Sequence, residues 1–458
     1  MTTISSKPAS GMRDFLATDV LRRRYVVDRI VRAYRQHGFT PLETPAIERL
    51  DVLTAKYGAE GDQLMFKLLV RADKLGRARL DDPSTLSDLA LHYDLTVPMA
   101  RVYAQHRNEL PRYYKRYQIQ PVWRADRPQK GRFREFYQCD VDYVGTSSMI
   151  AEVEVLSAMF AALRELSFGG VTARLNDRRL LFATLDAAGV ARERHGAALT
   201  ELDRLDKSSA SEVRAALAAQ AGLSGGEIAS LAELIPGLGD ESAAVPAREA
   251  LRRLLGGLER AGADRSAGVE LERLFSLVEP ALGPGITLQY DPTLVRGLSY
   301  YTGTIMEFGA EGLRGSIAGG GRYDGLVGMF LNEDVPAVGG SLGLERILVI
   351  MQERGMFPDL ALHHDVLVAR MDDEAVPEGL SLCALLRGAG YSAVMFPEAR
   401  KIAQQFRYAE EIGARWVAIV GTREAREGVV TMKHLASGEQ TTVSREELLT
   451  WMGGLPST

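Results

Sequence analysis

Between Trp123 and Asp142 the chain reads WRADRPQKGRFREFYQCDVD, and few folds can house such a stretch. Pro128, Gly131 and three cations fall between Arg127 and Arg132, a composition suited to a basic hairpin loop. The flanking arms read as strands. By the strand period of two, Arg124 and Asp126 share a face of the first arm. On the second, Gln138, Asp140 and Asp142 share one face and Tyr137, Cys139, Val141 and Tyr143 the other. So many ionisable groups are costly to bury unless a polar ligand fills the space between them. The expectation is a pocket that holds an anionic substrate and a basic group together. The alternative is an exposed hairpin edge protected by its charges.

A chain of 458 residues is too long for one core and should divide into about two to four domains. The net charge of −5 makes it no polycation, so any nucleic-acid contact must come from local basic patches. Its two cysteines, Cys139 and Cys383, are far apart and belong to no CxxC, which argues against a disulfide scaffold or a structural zinc site. Seven histidines lack metal-ligand spacing, so no metal site is expected. The N-terminus has no apolar segment of signal-peptide length, and no run is long enough to span a membrane. A cytoplasmic protein is expected.

Apolar residues at Leu21, Tyr25, Val26, Ile30, Val31 and Tyr34 have helical spacing over 19–36, closed by Gly38 at a left-handed cap. The proline-marked strand after it suits an edge or a subunit interface. Short strands are expected at 66–70 and 89–93, then a strand-to-helix corner at Asp94 and Thr96, with Thr96 placed to cap. A simple cap and turn is the plain alternative. From about 180 to 280 Ala, Leu, Arg and Glu dominate, which reads as a helical insertion in a sheet that resumes near Ile286. A strand is expected from Val295 to Phe308 with Arg296 at its head, followed by glycine-rich runs at 319–325 and 338–343. Arg346 falls in the first turn of the next helix, where a cation opposes the helix dipole, a conflict expected at functional sites. Beyond 364, strands alternate with helices as in a separate small α/β domain. Its helix at 400–412 carries Arg400, Lys401, Gln404, Gln405, Arg407 and Tyr408, either a solvated face or an RNA-facing one.

Arg124, Arg132, Arg296 and Arg346 each adjoin a glycine or an element end. Guanidinium forks so placed suit phosphate oxygens. There is no P-loop and no GxGxxG opening a helix, so nucleotide binding would rest on arginines of an antiparallel sheet.

These segments together resemble the histidyl-tRNA synthetase family of class II aminoacyl-tRNA synthetases over nearly the whole chain. Residues 38–48 resemble motif 1, the dimer-interface element; 124–135 motif 2; and 339–346 motif 3. RGLSYYTG from Arg296, GGGRYD from Gly319, REFYQCDVD from Arg134 and YDLTVP from Tyr93 resemble histidine-specific segments. The resemblance implies an α+β catalytic domain on an antiparallel sheet with flanking helices, the class II synthetase fold. It would occupy 1–178 and 285–352, with a helical insertion at 179–284, a linker at 353–364 and an α/β anticodon-binding domain at 365–458. It implies ATP-dependent formation of histidyl-adenylate from L-histidine, then transfer to the 3′ end of tRNA(His), by a homodimer. Magnesium would enter with ATP, with no protein-bound structural metal.

By motif position, Arg124 would meet the α-phosphate, Asp126 the adenine edge, Arg132 the β- and γ-phosphates, and Arg346 the adenine face. Arg296 would stabilise charge at the reacting phosphorus and hold the amino acid, with Arg124 as its catalytic partner. Asp94 and Thr96 match the α-amino site; Gln138, Asp142, Tyr300 and Tyr301 match the imidazole pocket. Gln129 and Lys130 would face the tRNA acceptor end, and Lys401 and Arg407 the RNA near the anticodon. The sequence departs from the family at Asp126 (commonly Glu), His92 (commonly Arg) and Ser299 (commonly Asp). Rival readings are a regulatory paralogue of histidine biosynthesis and an RNA-sensing module. The catalytic arginines and terminal domain argue against the first, and the lack of an effector domain against the second.

Overall fold

The computed structural model describes residues 4–54, 64–79, 81–82, 85–128, 133–206, 208–239, 247–295, 300–313, 315–331, 333–360 and 363–454. The chain divides into two compact units, Met1–Asp14 with Arg22–Phe357, and Phe15–Leu21 with Pro358–Thr458. No helix among the described residues is long and apolar enough to cross a membrane.

The first unit is built on eight strands. These are β1 (Thr40–Pro41), β5 (Tyr114–Trp123), β6 (Glu135–Val144), β7 (Val171–Asp177), β8 (Ile286–Tyr290), β9 (Thr304–Ala310), β10 (Ser316–Arg322) and β11 (Ala337–Gly343). Their order is β1-β5-β6-β11-β10-β9-β7-β8, antiparallel through the middle, with parallel pairs only at the two edges. A three-stranded sheet of β2 (Ile47–Arg49), β4 (Leu89–Leu91) and β3 (Lys67–Leu68) lies beside it in sequence.

One face of the large sheet is covered by helices. Helix α1 (Ala17–Gln36) buries Val26, Ile30, Ala33 and Tyr34, and Gly38 ends it with φ +76, as the sequence requires. Helix α3 (Ile150–Glu165) is buried along almost its whole length, and Phe160 stacks on Phe308 of β9 at 5.3 Å. The period of two in β6 holds. Cys139 and Val141 join this core, and Gln138, Asp140 and Asp142 take the opposite face.

Between β7 and β8 the chain is helical, but its helices serve two cores. Those at Arg178–Ala187, His195–Leu202, Ala210–Gln220 and Gly225–Leu234 close around Leu185, Leu199, Leu217 and Leu231. Ala247–Arg260 and Ser266–Val278 instead send Leu251, Leu254, Leu258, Leu274 and Phe275 into the main core. Two expectations fail locally. The strand expected from Val295 to Phe308 is β9, which starts at Thr304; ahead of it Tyr300 and Tyr301 bring their rings within 4.2 Å of each other and line the site. The first arm of the hairpin leaves the sheet at Trp123, so Arg124 and Asp126 lie beyond the strand.

The second unit carries β12 (His364–Arg370), β13 (Ala393–Met395), β14 (Ala414–Val420), β15 (Val429–His434) and β16 (Gln440–Ser444), ordered β13-β12-β14-β15-β16. The helix expected at 400–412 begins at Ile402. Gln405 is wholly buried: its Oε1 accepts the Arg370 N–H (2.9 Å) and its Nε2 donates to the carbonyls of Arg370 and Arg400 (2.8 Å each). Tyr408 packs edge-on against Phe396 at 5.4 Å. Those two therefore leave the expected surface, on which Lys401, Gln404 and Arg407 remain exposed.

Candidate active site

On the face that carries Gln138, Asp140 and Asp142, the large sheet is floored by glycine. In register, Gly339 lies opposite Asp142, Gly343 opposite Gln138, and Gly319 opposite Ser341, which itself faces Asp140. A Cβ on Gly339 would fall 1.8 Å from Asp142 Oδ1, so only glycine lets the backbone pass that carboxylate. A Cβ on Gly321 would fall 2.9 Å from the Tyr301 ring. The space left above this floor is a cavity of ≈ 610 Å³. Asp94, Thr96, Arg124, Asp126, Gln138, Asp142, Tyr300, Tyr301 and Arg346 all line it. Gln129, Lys130, Arg132, Arg296 and Ser299 lie outside the described residues.

Each side chain is set by its element. At the corner after β4, helix α2 (Thr96–Gln105) is capped by the Asp94 carboxylate, which accepts the Val97 N–H at 3.1 Å. The Thr96 hydroxyl was expected in that role; Thr96 is instead the first helical residue. Arg124 keeps one more rung of the hairpin, its N–H donating to the Arg134 carbonyl at 2.8 Å. Its Nε donates to the Tyr93 carbonyl (3.0 Å), and its guanidinium lies 5.1 Å from the centre of the Phe136 ring. Gln138 Nε2 donates to Asp140 Oδ1 and Ser341 Oγ, both at 3.3 Å, and its buried Oε1 has no hydrogen-bond partner among the described residues. That acceptor can take an N–H of a bound ligand.

At the other end, Arg346 opens helix Leu344–Glu353 and donates to the Ser316 carbonyl across the sheet. Beside it the buried Glu345 accepts the Tyr137 N–H with both carboxylate oxygens, at 3.1 Å each. Burial raises the Glu345 carboxyl, and the Tyr137 N–H opposes that rise. His92 is buried, with Nε2 2.8 Å from the Pro121 carbonyl and its ring 5.5 Å from that of Trp123, a packing role.

The electrostatic centre was missed from sequence. Arg116 of β5 has no exposure and lies 2.9 Å from Asp142 Oδ2 and 3.8 Å from Asp140 Oδ2. The Tyr323 hydroxyl donates to Asp142 Oδ1. Burial pushes the Asp140 carboxyl up to about 7, with Arg116 pulling the other way. Burial alone would lower the Arg116 guanidinium; Asp142 and Asp140 outweigh it and hold the arginine charged. The available signal was the same period of two: Arg116, Gln118 and Gln120 share a face of a strand next to the acidic one. Among the described residues no group of three or more His, Cys, Asp or Glu could hold a metal ion.

The cavity therefore offers cations at both ends, acceptors in the middle and a flat backbone floor, on an antiparallel sheet. A family model for histidyl-tRNA synthetase matches residues 11–347, and one for the anticodon binding domain matches 365–454. The chain belongs to the histidyl-tRNA synthetase family. It is 37% identical over 454 residues to the histidine–tRNA ligase of Cytophaga hutchinsonii, covering 96% of this chain and 97% of that protein. With the ligase of Leifsonia xyli subsp. xyli the identity is 41% over 423 residues, covering 90% and 95%. The crystal structure of histidyl-tRNA synthetase from Nostoc sp. PCC 7120 superposes with a TM-score of 0.77 at 29% identity, over 98% of this chain and 99% of that one.

Proposed function

We infer that the protein is a histidine–tRNA ligase: it activates L-histidine with ATP to histidyl-adenylate and passes the histidyl group to the 3′ end of tRNA(His). The observation that carries the residue-level reading is the meeting of nine side chains from five separate segments of the chain (94–96, 124–126, 138–142, 300–301 and 346) around one cavity. Arg124 is assigned to the α-phosphate, Asp126 to the adenine edge and Arg346 to the adenine face. Arg132 takes the β- and γ-phosphates, and Arg296 the charge that develops as a carboxylate oxygen attacks phosphorus. Asp94 and Thr96 take the α-amino group; Gln138, Asp142, Tyr300 and Tyr301 take the imidazole. A site of this kind works by holding reactants in line and meeting developing charge with fixed cations, with little need for a protein base. Magnesium comes with ATP as counter-charge.

The imidazole side supplies selectivity. An apolar amino acid would shut water out of the acceptors Gln138 Oε1 and Asp142 and bring them no N–H in return, which disfavours that competitor strongly. For tRNA, Gln129 and Lys130 are assigned to the acceptor end, Lys401 and Arg407 to the RNA near the anticodon, and the helical segment 179–284 to clamping the acceptor arm. A homodimer through residues 38–48 is supported by the small sheet. There Ile47 and Leu89, on one face by register, are 46% and 39% exposed. The reading includes a cytoplasmic location, with which two buried free thiols agree.

Histidine-dependent exchange of pyrophosphate into ATP tests the activity. The purified protein should catalyse it, and Arg296→Ala should lose most of it. Absence of exchange in the parent, or an Arg296→Ala variant indistinguishable from an active parent, sinks the corresponding part of the reading.

A further inference from the structure

Arg116 is a cation with no exposure at all, on the same face of the sheet as Asp142 and behind the residues that line the cavity. It pairs in register with Asp142 on the neighbouring strand. Besides its ion pair with Asp142 (2.9 Å), its Nη1 donates to Gln118 Oε1 at 3.0 Å and its Nη2 to the Leu95 carbonyl at 3.3 Å. Leu95 lies between Asp94 and Thr96, so one guanidinium reaches both the imidazole side and the α-amino side of the pocket. Gln118 continues the polar line to Thr44 Oγ1 at 2.8 Å.

We propose that Arg116 is a positioning residue for amino-acid recognition, holding Asp142 ionised and aimed into the cavity while fixing the Asp94–Thr96 corner. The proposal rests on the reading of Asp142 as the imidazole partner. Stability alone is a poor reason for the arrangement, since a buried ion pair is often replaceable by apolar packing without loss. The geometry is that of a clamp: Arg116 meets one oxygen of Asp142 and the Tyr323 hydroxyl meets the other, which fixes the carboxylate plane. The titratable groups facing Asp142 are Arg116 and Tyr114 from β5, Asp140 from its own strand and Tyr323 after β10, with Tyr34 of α1 felt from the other side of the sheet. Of these, Arg116 alone is a cation. Removing it should let the Asp142 carboxyl take up a proton within the working pH range, because a neighbouring opposite charge moves a carboxyl by about one to three pH units.

The test is histidine-dependent pyrophosphate exchange across pH, with Arg116→Met, Arg116→Gln and Arg116→Lys made in the parent and in an Asp142→Asn background. Exchange by the parent, with a raised KM for histidine in Asp142→Asn alone, establishes the underlying reading independently, and the absence of either would count against that reading alone. With an active parent, the two neutral variants should raise KM for histidine about 10- to 100-fold while KM for ATP stays put. They should also move the acid limb of kcat/KM for histidine upward, the substrate's own imidazole titration being common to all variants. Lysine should restore the limb by restoring the charge. In the Asp142→Asn background the Arg116 substitutions should no longer move the acid limb and should add only the smaller share that passes through the Leu95 carbonyl, as expected for a residue that acts largely through another. An unmoved acid limb, a parallel loss toward both substrates, or full additivity with Asp142→Asn overturns the proposal. If the methionine variant does not fold, the glutamine variant carries the same readouts.

Discussion

Gly339 faces Asp142 so closely that a methyl group there would also come within 2.9 Å of the Val141 carbonyl. The Val141 carbonyl is backbone, and the Asp142 carboxylate, though a side-chain end, is held by the Tyr323 hydroxyl and Arg116. Gly339→Ala should therefore cost about 1–3 kcal/mol in stability, as overpacking does. It should also turn the Asp142 carboxylate and raise KM for histidine more than KM for ATP. Thermal melts with steady-state exchange measure both, and equal KM changes would show that the strain spreads beyond Asp142. Asp140 makes a different prediction, in pH. Burial raises its folded-state pKa to about 7, above the value of about 3.9 in an unfolded chain. The native state thus holds that proton more tightly. The stability it contributes is full below about pH 4 and lost as pH rises through about 7. Asp140→Asn removes the loss, so the Tm difference between variant and parent should grow in the variant's favour from about pH 5 to about pH 8. A difference constant with pH would mean that Asp140 ionises as freely in the folded protein as in the unfolded chain. Arg322, in the glycine-rich GGGRYD segment, belongs to the scaffold instead. Its Nε and Nη2 each reach Glu152 of α3 at 2.6 Å, tying β10 to the helix beneath the sheet.

At the scale of elements, periodicity made much of the fold legible. The helix ending at Gly38 and the hairpin arm 135–144 follow from apolar spacing and one glycine. What stayed illegible has physical causes. Asp94, rather than Thr96, caps α2 because either oxygen can reach the orphan N–H groups and only tertiary placement selects one. Gln405 looked like surface because an amide beside cations usually is. Burial is open to it because both ends of its amide find backbone partners. Nor does apolar spacing tell which core a helix will join, so the split of the helical segment between two cores was hidden. In the site, residues that oppose local propensity stood out, as Arg346 did. Arg116 did not, since its partners lie across a strand pair. The exposed edge that keeps Lys401 and Arg407 makes its own prediction. Replacing both by alanine should weaken tRNA binding and flatten the plot of log K against log salt by about two units. Filter binding over a salt series reads this directly, and an unchanged slope would return those charges to the solvent.

For the molecule as a whole, the division into two units sets the cavity apart from the residues that match an anticodon-binding domain, 365–454. The residues lining the cavity lie between Leu64 and Arg346, within the first unit. Removal of residues 358–458 should then spare histidine-dependent pyrophosphate exchange and depress charging of tRNA, both measurable on one preparation. Equal loss of the two activities would make the terminal unit part of the catalytic body. The central strand pair has a consequence for how the protein comes into being. Strand β6 is flanked by β11, and the Tyr137 N–H is satisfied by Glu345, 208 residues further on. On the ribosome, at about 5–20 residues per second, the acidic strand waits on the order of 10–40 s for its neighbour. During that interval its edge is open and its carboxylates face solvent rather than a glycine floor. The charges that line the finished cavity are thus also, while the chain is being made, what guards a naked strand edge against other nascent chains.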